Sequence, residues 1–211
     1  MLEARAVKRG RGRPPKDRAG LVETRQALVS AGVSALTEKG FSATGIDEIL
    51  RMVDVPKGSF YHYFKSKEAF GAELIDHYAR YFSNKLDKIF LNESRTPVQR
   101  LHDFVDDAEA GMRRHNFARG CLVGNLGQEM RALPPAYREL LIATFLDWQT
   151  KTAACLKAAV DAGEISPNID CDKVAEFFWI GWEGAVLRAK LEESAVPLRR
   201  FAEGFFAGIE R

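Results

Sequence analysis

Cysteine is scarce: Cys121, Cys155 and Cys171 are the only three in 211 residues, far apart and without a CxxC pair. An odd, scattered set of thiols excludes a disulfide scaffold and a structural zinc site, and it fits a reducing, cytoplasmic compartment. Long apolar runs are missing as well. Nothing approaches the roughly 20 residues that span a bilayer. The basic N-terminus has no apolar stretch behind it, so no secretory signal is expected. No convincing strand and no internal repeat is found, and neither is a Gly-rich phosphate loop or a His/Asp/Glu cluster with metal spacing. Cofactor, metal and catalysis are therefore not expected. His115 and Cys121 suggest a nucleophile and a base, but no third residue orients them.

Charge is nearly balanced overall, with 31 Lys+Arg against 29 Asp+Glu, and unevenly distributed. Residues 1–20 hold seven basic and two acidic side chains, whereas residues 71–211 hold 18 and 21. A basic end on a mildly acidic body points to a polyanionic partner for the first third. Residues 1–20 also lack apolar periodicity and carry Gly and Pro breakers, which predicts a disordered arm.

After Leu21 almost everything has helical period. Helices are expected over residues 21–39, from Thr44 through Leu50, and over 57–63, 66–90, 97–115, 121–131, 134–162, 170–193 and 197–210. Proline near a first turn, Asp at a cap or glycine past an end marks most of these boundaries. The fold class is all-α with about nine helices. Three short ones form a unit at 21–66, and mostly longer ones follow over 67–211.

The stretch "VPKGSFYHYFKSKEAF" places five aromatic rings and three lysines in sixteen residues. With the preceding "ATGIDEILRMVD" it reads as two short helices joined by a tight turn, a helix-turn-helix whose second helix enters the major groove. Lys57 can reach a phosphate or guanine, Gly58 permits close backbone approach, and Ser59 can bond either. Tyr61 and His62 carry polar ring tips toward the phosphates, while Phe60 and Phe64 turn inward. Thr44 and Lys67, at helix starts, are placed to hold phosphate. In the arm, "KRGRGRPPK" resembles an AT-hook, with Arg11 and Arg13 suited to a narrow minor groove.

Over Thr24 to about Tyr78, the pattern "GFSATGIDEILRMVDVPKGSFYHYFKSKEAF" strongly resembles the TetR family of bacterial transcriptional repressors. The resemblance implies a homodimer that binds a near-palindromic operator on double-stranded DNA and leaves it when a small molecule enters the C-terminal half. It also implies DNA contacts by Thr44, Lys57, Ser59, Tyr61, His62 and Lys67.

Two rows of small residues, Gly181, Ala185 and Ala189, then Gly204 and Gly208, permit close helix approach beside Phe201 and Phe205. In the family such helices form the dimer interface, so these seven are expected there. Packing within one protomer is the plainer alternative.

The least ordinary segment is "HNFARGCLVGNLGQEM". Gly124 and Gly127 cost about 1 kcal/mol each relative to Ala inside a helix, so ligand space or close packing must offset them. Cys121, at a helix start after Arg119, is where a reactive thiolate is expected. Asn125 and Gln128 are expected to bond a carboxylate or carbonyl, with Trp148, Trp179 and Trp182 as apolar walls and Arg188 as counter-charge. "RGCLVGNLGQEM" and "FFWIGWEGAVLRAKLE" resemble the acrylate-responsive (AcuR-like) subgroup, which implies an unsaturated acid or its coenzyme A thioester as inducer. The Gly-Cys-Leu start and the pair Ala189–Lys190 are also similar to electrophile-sensing NemR-like repressors, where Cys121 would be modified and Lys190 would tune it. An architectural DNA binder without a ligand is the remaining alternative.

Overall fold

The structure is a computed structural model that describes residues 18–209. The basic arm with Arg11 and Arg13 lies outside the described residues.

Nine α-helices follow one another within the described residues: α1 (Arg18–Lys39), α2 (Ile46–Met52), α3 (Phe60–Tyr63), α4 (Lys67–Phe90), α5 (Pro97–Arg114), α6 (Leu122–Gln128), α7 (Tyr137–Asp161), α8 (Cys171–Glu192) and α9 (Val196–Ile209). A 3₁₀ turn, Lys57–Ser59, leads into α3.

Local chemistry sets the boundaries. The Ser66 hydroxyl accepts from Ala69 N–H at the start of α4. Thr96 and Gln99 close a reciprocal capping box ahead of Pro97. Asp170 accepts from Lys173 N–H to open α8, and Glu193, at φ 48°, ends it. Two limits differ from expectation. The helix expected from Thr44 begins at Ile46, because the Thr44 hydroxyl is donated back to the Gly40 carbonyl at 2.6 Å. The helix expected to reach residue 131 stops at Gln128, where Glu129 turns its carboxylate toward the α1–α2 turn.

α1, α2 and α3 close around Leu28, Leu36, Ile49, Leu50, Phe60 and Phe64, all buried, with Phe70 and Leu74 of α4 completing that head. Burying each such side chain contributes about 1.5–3 kcal/mol. α4 also packs on α5 and α7, so one long helix belongs to both halves. Behind it an aromatic column fills the second half. Phe82, Trp148 and Trp179 stack with centroids 4.5 and 4.8 Å apart, and Phe104 meets Trp182 at 5.3 Å. The Trp179 indole donates to Thr152 Oγ1 at 3.0 Å, which satisfies a hydroxyl and a ring N–H in the same buried spot.

Candidate functional site

The first candidate surface lies on the head. Phe60 is fully buried against Phe64 and Phe70, and this fixes which side of α3 faces out. Tyr61 and His62 are consequently exposed, as are Lys57 and Gly58 in the turn ahead of them. Ser59 is half-buried. Lys57 Nζ bonds Asp47 of α2 at 2.6 Å across the turn; both side chains remain largely in solvent, so this pair opens at little cost. Lys67 is half-buried, its ammonium 4.5 Å above the Phe41 ring and 3.3 Å from the Phe41 carbonyl. Thr44 departs from expectation: it is buried and its hydroxyl is used inside the turn, where it braces the reading head.

The second candidate site is a cavity of about 340 Å³ bounded by α1, α4, α5, α8 and the segment entering α6. Phe82, Trp179, Trp182 and Val186 make its apolar wall, and Lys85, Arg114, His115 and Arg119 its basic side. At its inner end Tyr78, Cys121 and Glu183 lie together, close enough that each bears on the protonation of its neighbours.

These surroundings decide protonation. Burial, and then the Glu183 charge, hold the Cys121 thiol well above its ordinary value; Gly124 N–H and Tyr78 oppose this and are outweighed. The expectation of a ready thiolate is therefore corrected. Cys121 caps α6 through its sulfur, 3.4 Å from Gly124 N, but desolvation, with the Glu183 charge behind it, dominates over that cap. Burial also pushes Glu183 up to about 7.

Glu183 was not anticipated, although the sequence carried a signal. It follows Trp179 by four residues and precedes Val186 by three, which puts an acid on the buried stripe of α8. It also explains Gly124. A Cβ there would lie 2.0 Å from Glu183 Oε2, so the glycine makes room for the carboxyl group. Gly127 faces open space, and nothing in the structure explains it.

The other expected ligand residues divide. Trp179 and Trp182 line the cavity, whereas Trp148 sits fully buried behind it. Arg188 is exposed and paired with Glu192, away from the cavity. Asn125 and Gln128 border only a crevice of about 10 Å³ behind Cys121. The Asn125 amide is committed elsewhere, donating to Leu36 O and Thr37 O, both at 2.9 Å.

That commitment belongs to a larger latch. The last carbonyls of an α-helix lack partners within the helix, and those of α1 find them in the C-terminal half. Asn125, Gly120 N–H (2.9 Å to Thr37 O) and Lys190 (to Glu38 O) supply the donors. Glu129 then accepts from Phe41 N–H at 3.0 Å and Ser42 N–H at 2.8 Å. Nearby, the Tyr137 hydroxyl donates to Glu68 O at 2.7 Å, joining α7 to the first turn of α4. The segment 120–129 therefore borders the cavity at Gly120 and Cys121 and holds the end of α1 and the turn after it through Gly120, Asn125 and Glu129.

The small-residue rows serve mainly the protomer itself. A Cβ on Gly181 would lie 2.2 Å from the Phe201 ring, and Ala185, Ala189 and Phe205 are buried. Gly204 and Gly208 face open space. Beside them α8 exposes an apolar stripe of Phe177, Ile180, Leu187 and Leu191.

Comparison with known proteins agrees with both halves. Residues 28–74 match the family model of bacterial regulatory proteins, tetR family, and residues 97–205 match the tetracyclin repressor-like C-terminal domain. The chain is 52% identical over 198 residues to the transcriptional regulator AcuR of Cereibacter sphaeroides, covering 94% of this chain and 89% of that protein. It is 30% identical to the HTH-type transcriptional repressor NemR of Escherichia coli K12, over 83% of this chain and 88% of NemR. A solved regulatory protein from Rhodobacter sphaeroides superposes with a TM-score of 0.86 at 52% identity, covering 88% of this chain and 98% of that one. The relatives are transcription regulators, and no helix among the described residues is long and apolar enough to cross a membrane.

Proposed function

This chain belongs to the tetR family of bacterial regulatory proteins, and from that premise we propose a homodimeric repressor whose operator is released when a small unsaturated acyl compound fills the cavity. One observation carries the reading: the segment that lines a 340 Å³ cavity at Gly120 and Cys121 also holds the end of α1 and the turn after it through Gly120, Asn125 and Glu129. A ligand that moves that wall moves the head. The cavity's size and apolar wall suit a short acyl group, and Lys85, Arg114, His115 and Arg119 suit a carboxylate or the phosphates of a coenzyme A thioester.

On the head, Lys57, Gly58, Ser59, Tyr61, His62 and Lys67 are the proposed contacts to DNA, with Arg11 and Arg13 reaching the minor groove. Two heads must match two half-sites at once, so a small change in their separation is enough to lose the operator. The apolar outer face of α8, continued by Gly204 and Gly208, is the proposed contact with the second copy.

A second reading is favoured by the sulfur in the cavity: Cys121 adds to an electrophilic alkene and the adduct displaces the wall. The raised thiol weighs toward reversible occupancy first. Fluorescence anisotropy on DNA from upstream of the gene separates the two. Acrylate releasing both wild type and Cys121→Ser supports a reversible pocket, and release of wild type alone makes Cys121 the sensor. Release of neither removes acrylate as inducer.

A further inference from the structure

Glu183 is the acidic group at the inner end of a cavity whose other charged side chains are basic. Among the described residues no ion pair holds it, and the Cys121 thiol stands beside it. Gly124 leaves space for this carboxyl group, since a Cβ there would lie 2.0 Å from Glu183 Oε2. A carboxylate ligand drawn in by the basic residues therefore meets a second carboxyl group beside the apolar wall of Trp179, Trp182 and Val186. Two carboxyls in such a site share a proton, because both charges together are too costly. An uncharged acyl group meets no such obstacle.

We propose that Glu183 is a specificity-determining residue that presents a proton to the acyl oxygen of the ligand, so that a carboxylate ligand enters this cavity together with one proton. The proposal rests on the cavity being the inducer site. Other titratable groups face the same space. From α4 come Tyr78, Tyr81 and Lys85, the last ion-paired with Asp107. Arg114, His115, Arg119 and Cys121 come from the end of α5 and the segment after it, and Lys190 of α8 lies in the crevice behind. α1 contributes only the hydroxyls of Ser30, Ser34 and Thr37. Tyr78 and Cys121 are held protonated by burial. His115 is the remaining side chain of a type that titrates near neutrality, and it is exposed. With Glu183 at about 7, proton-linked binding weakens above neutral pH.

The test is isothermal titration calorimetry of the full chain with acrylate and with its uncharged isostere acrylamide, from about pH 6 to 9. Acrylate affinity is expected to fall toward tenfold per pH unit above about 7, the slope of one bound proton, with acrylamide far flatter. Glu183→Gln, which keeps shape and a donor, is expected to abolish the acrylate slope. His115→Gln and Cys121→Ser should retain it. A slope that survives in Glu183→Gln, or a flat wild-type profile, overturns the assignment while leaving the cavity as the site. Absence of binding by either compound overturns the site and the assignment together.

Discussion

If residues 120–129 connect cavity to head, cutting that connection should uncouple the two ligands more than it weakens either. Glu129→Ala removes the acceptor for Phe41 N–H and Ser42 N–H at once. Hydrogen bonds to a charged acceptor contribute about 1.5–3 kcal/mol when shielded. Ser42 is exposed and regains water, whereas Phe41 is buried. The net loss is therefore about 1–3 kcal/mol, and near 2 kcal/mol the Tm of a chain this size falls by about 4–8 °C. The coupling between inducer and operator should fall by a similar amount, and about 1.4 kcal/mol is already tenfold in the ratio of operator affinities. The assay is operator Kd by anisotropy, with and without saturating inducer, for wild type and Glu129→Ala. Gly40→Ala serves as a second perturbation, since its Cβ would lie 1.7 Å from Glu129 Oε1 on a backbone at φ 79°. A wild-type affinity ratio in folded Glu129→Ala would refute the latch and leave α4 to carry the signal.

Gly181→Ala is expected to force α8 from α9 at the Phe201 ring and cost about 1–3 kcal/mol, read as a lower midpoint in thermal unfolding. An unchanged midpoint would mean that Phe201 turns aside freely. Glu109 is held below its ordinary pKa chiefly by Arg199, with Nε and Nη2 at 2.8 and 2.7 Å, and further by Arg113. Its folded value is depressed, so the stability it contributes is fully present above the unfolded carboxyl value and is lost as pH falls through the lower, folded value. The gap in urea midpoint between wild type and Glu109→Gln should therefore narrow steadily as pH is lowered from about 7 to about 3; a constant gap would refute this.

Much of the architecture was legible because helix signals are local. Pro97 at a first turn, Ser66 and Asp170 at caps and Gly163 past an end act within a few residues, and the helices formed where those signals stand. The inward rings of α3 were legible for the same reason, since Phe60 and Phe64 are one turn apart. What escaped depends on partners far away in the chain. Thr44 looks like a phosphate ligand until Gly40 O takes its hydroxyl, and Asn125 looks like a ligand donor until the α1 carbonyls, 88 and 89 residues earlier, take its amide. The thiolate expected at Cys121 failed likewise. Its helix start is visible in sequence; the burial that outweighs it, and the carboxyl group 62 positions later that adds to that burial, are not.

Two of these errors, at Cys121 and Asn125, share a segment, and that is informative about its design. Along α6, Cys121 and Gly124 meet Glu183, while Asn125 and Glu129, one turn apart, meet the end of α1 and the turn after it. Leu122, Val123 and Leu126 fill the core between. A helix of seven residues with one glycine required by a neighbouring carboxyl and no side-chain hydroxyl at its cap has little intrinsic stability. It is held by contacts on both sides. A shift forced on Cys121 and Gly124 by a ligand cannot be absorbed within the helix and must reach Asn125 and Glu129, one turn away. Gly124, Asn125 and Glu129, three of the residues that make "CLVGNLGQE" a poor helix on paper, are thus the ones that meet Glu183 on one side and the end of α1 and the turn after it on the other.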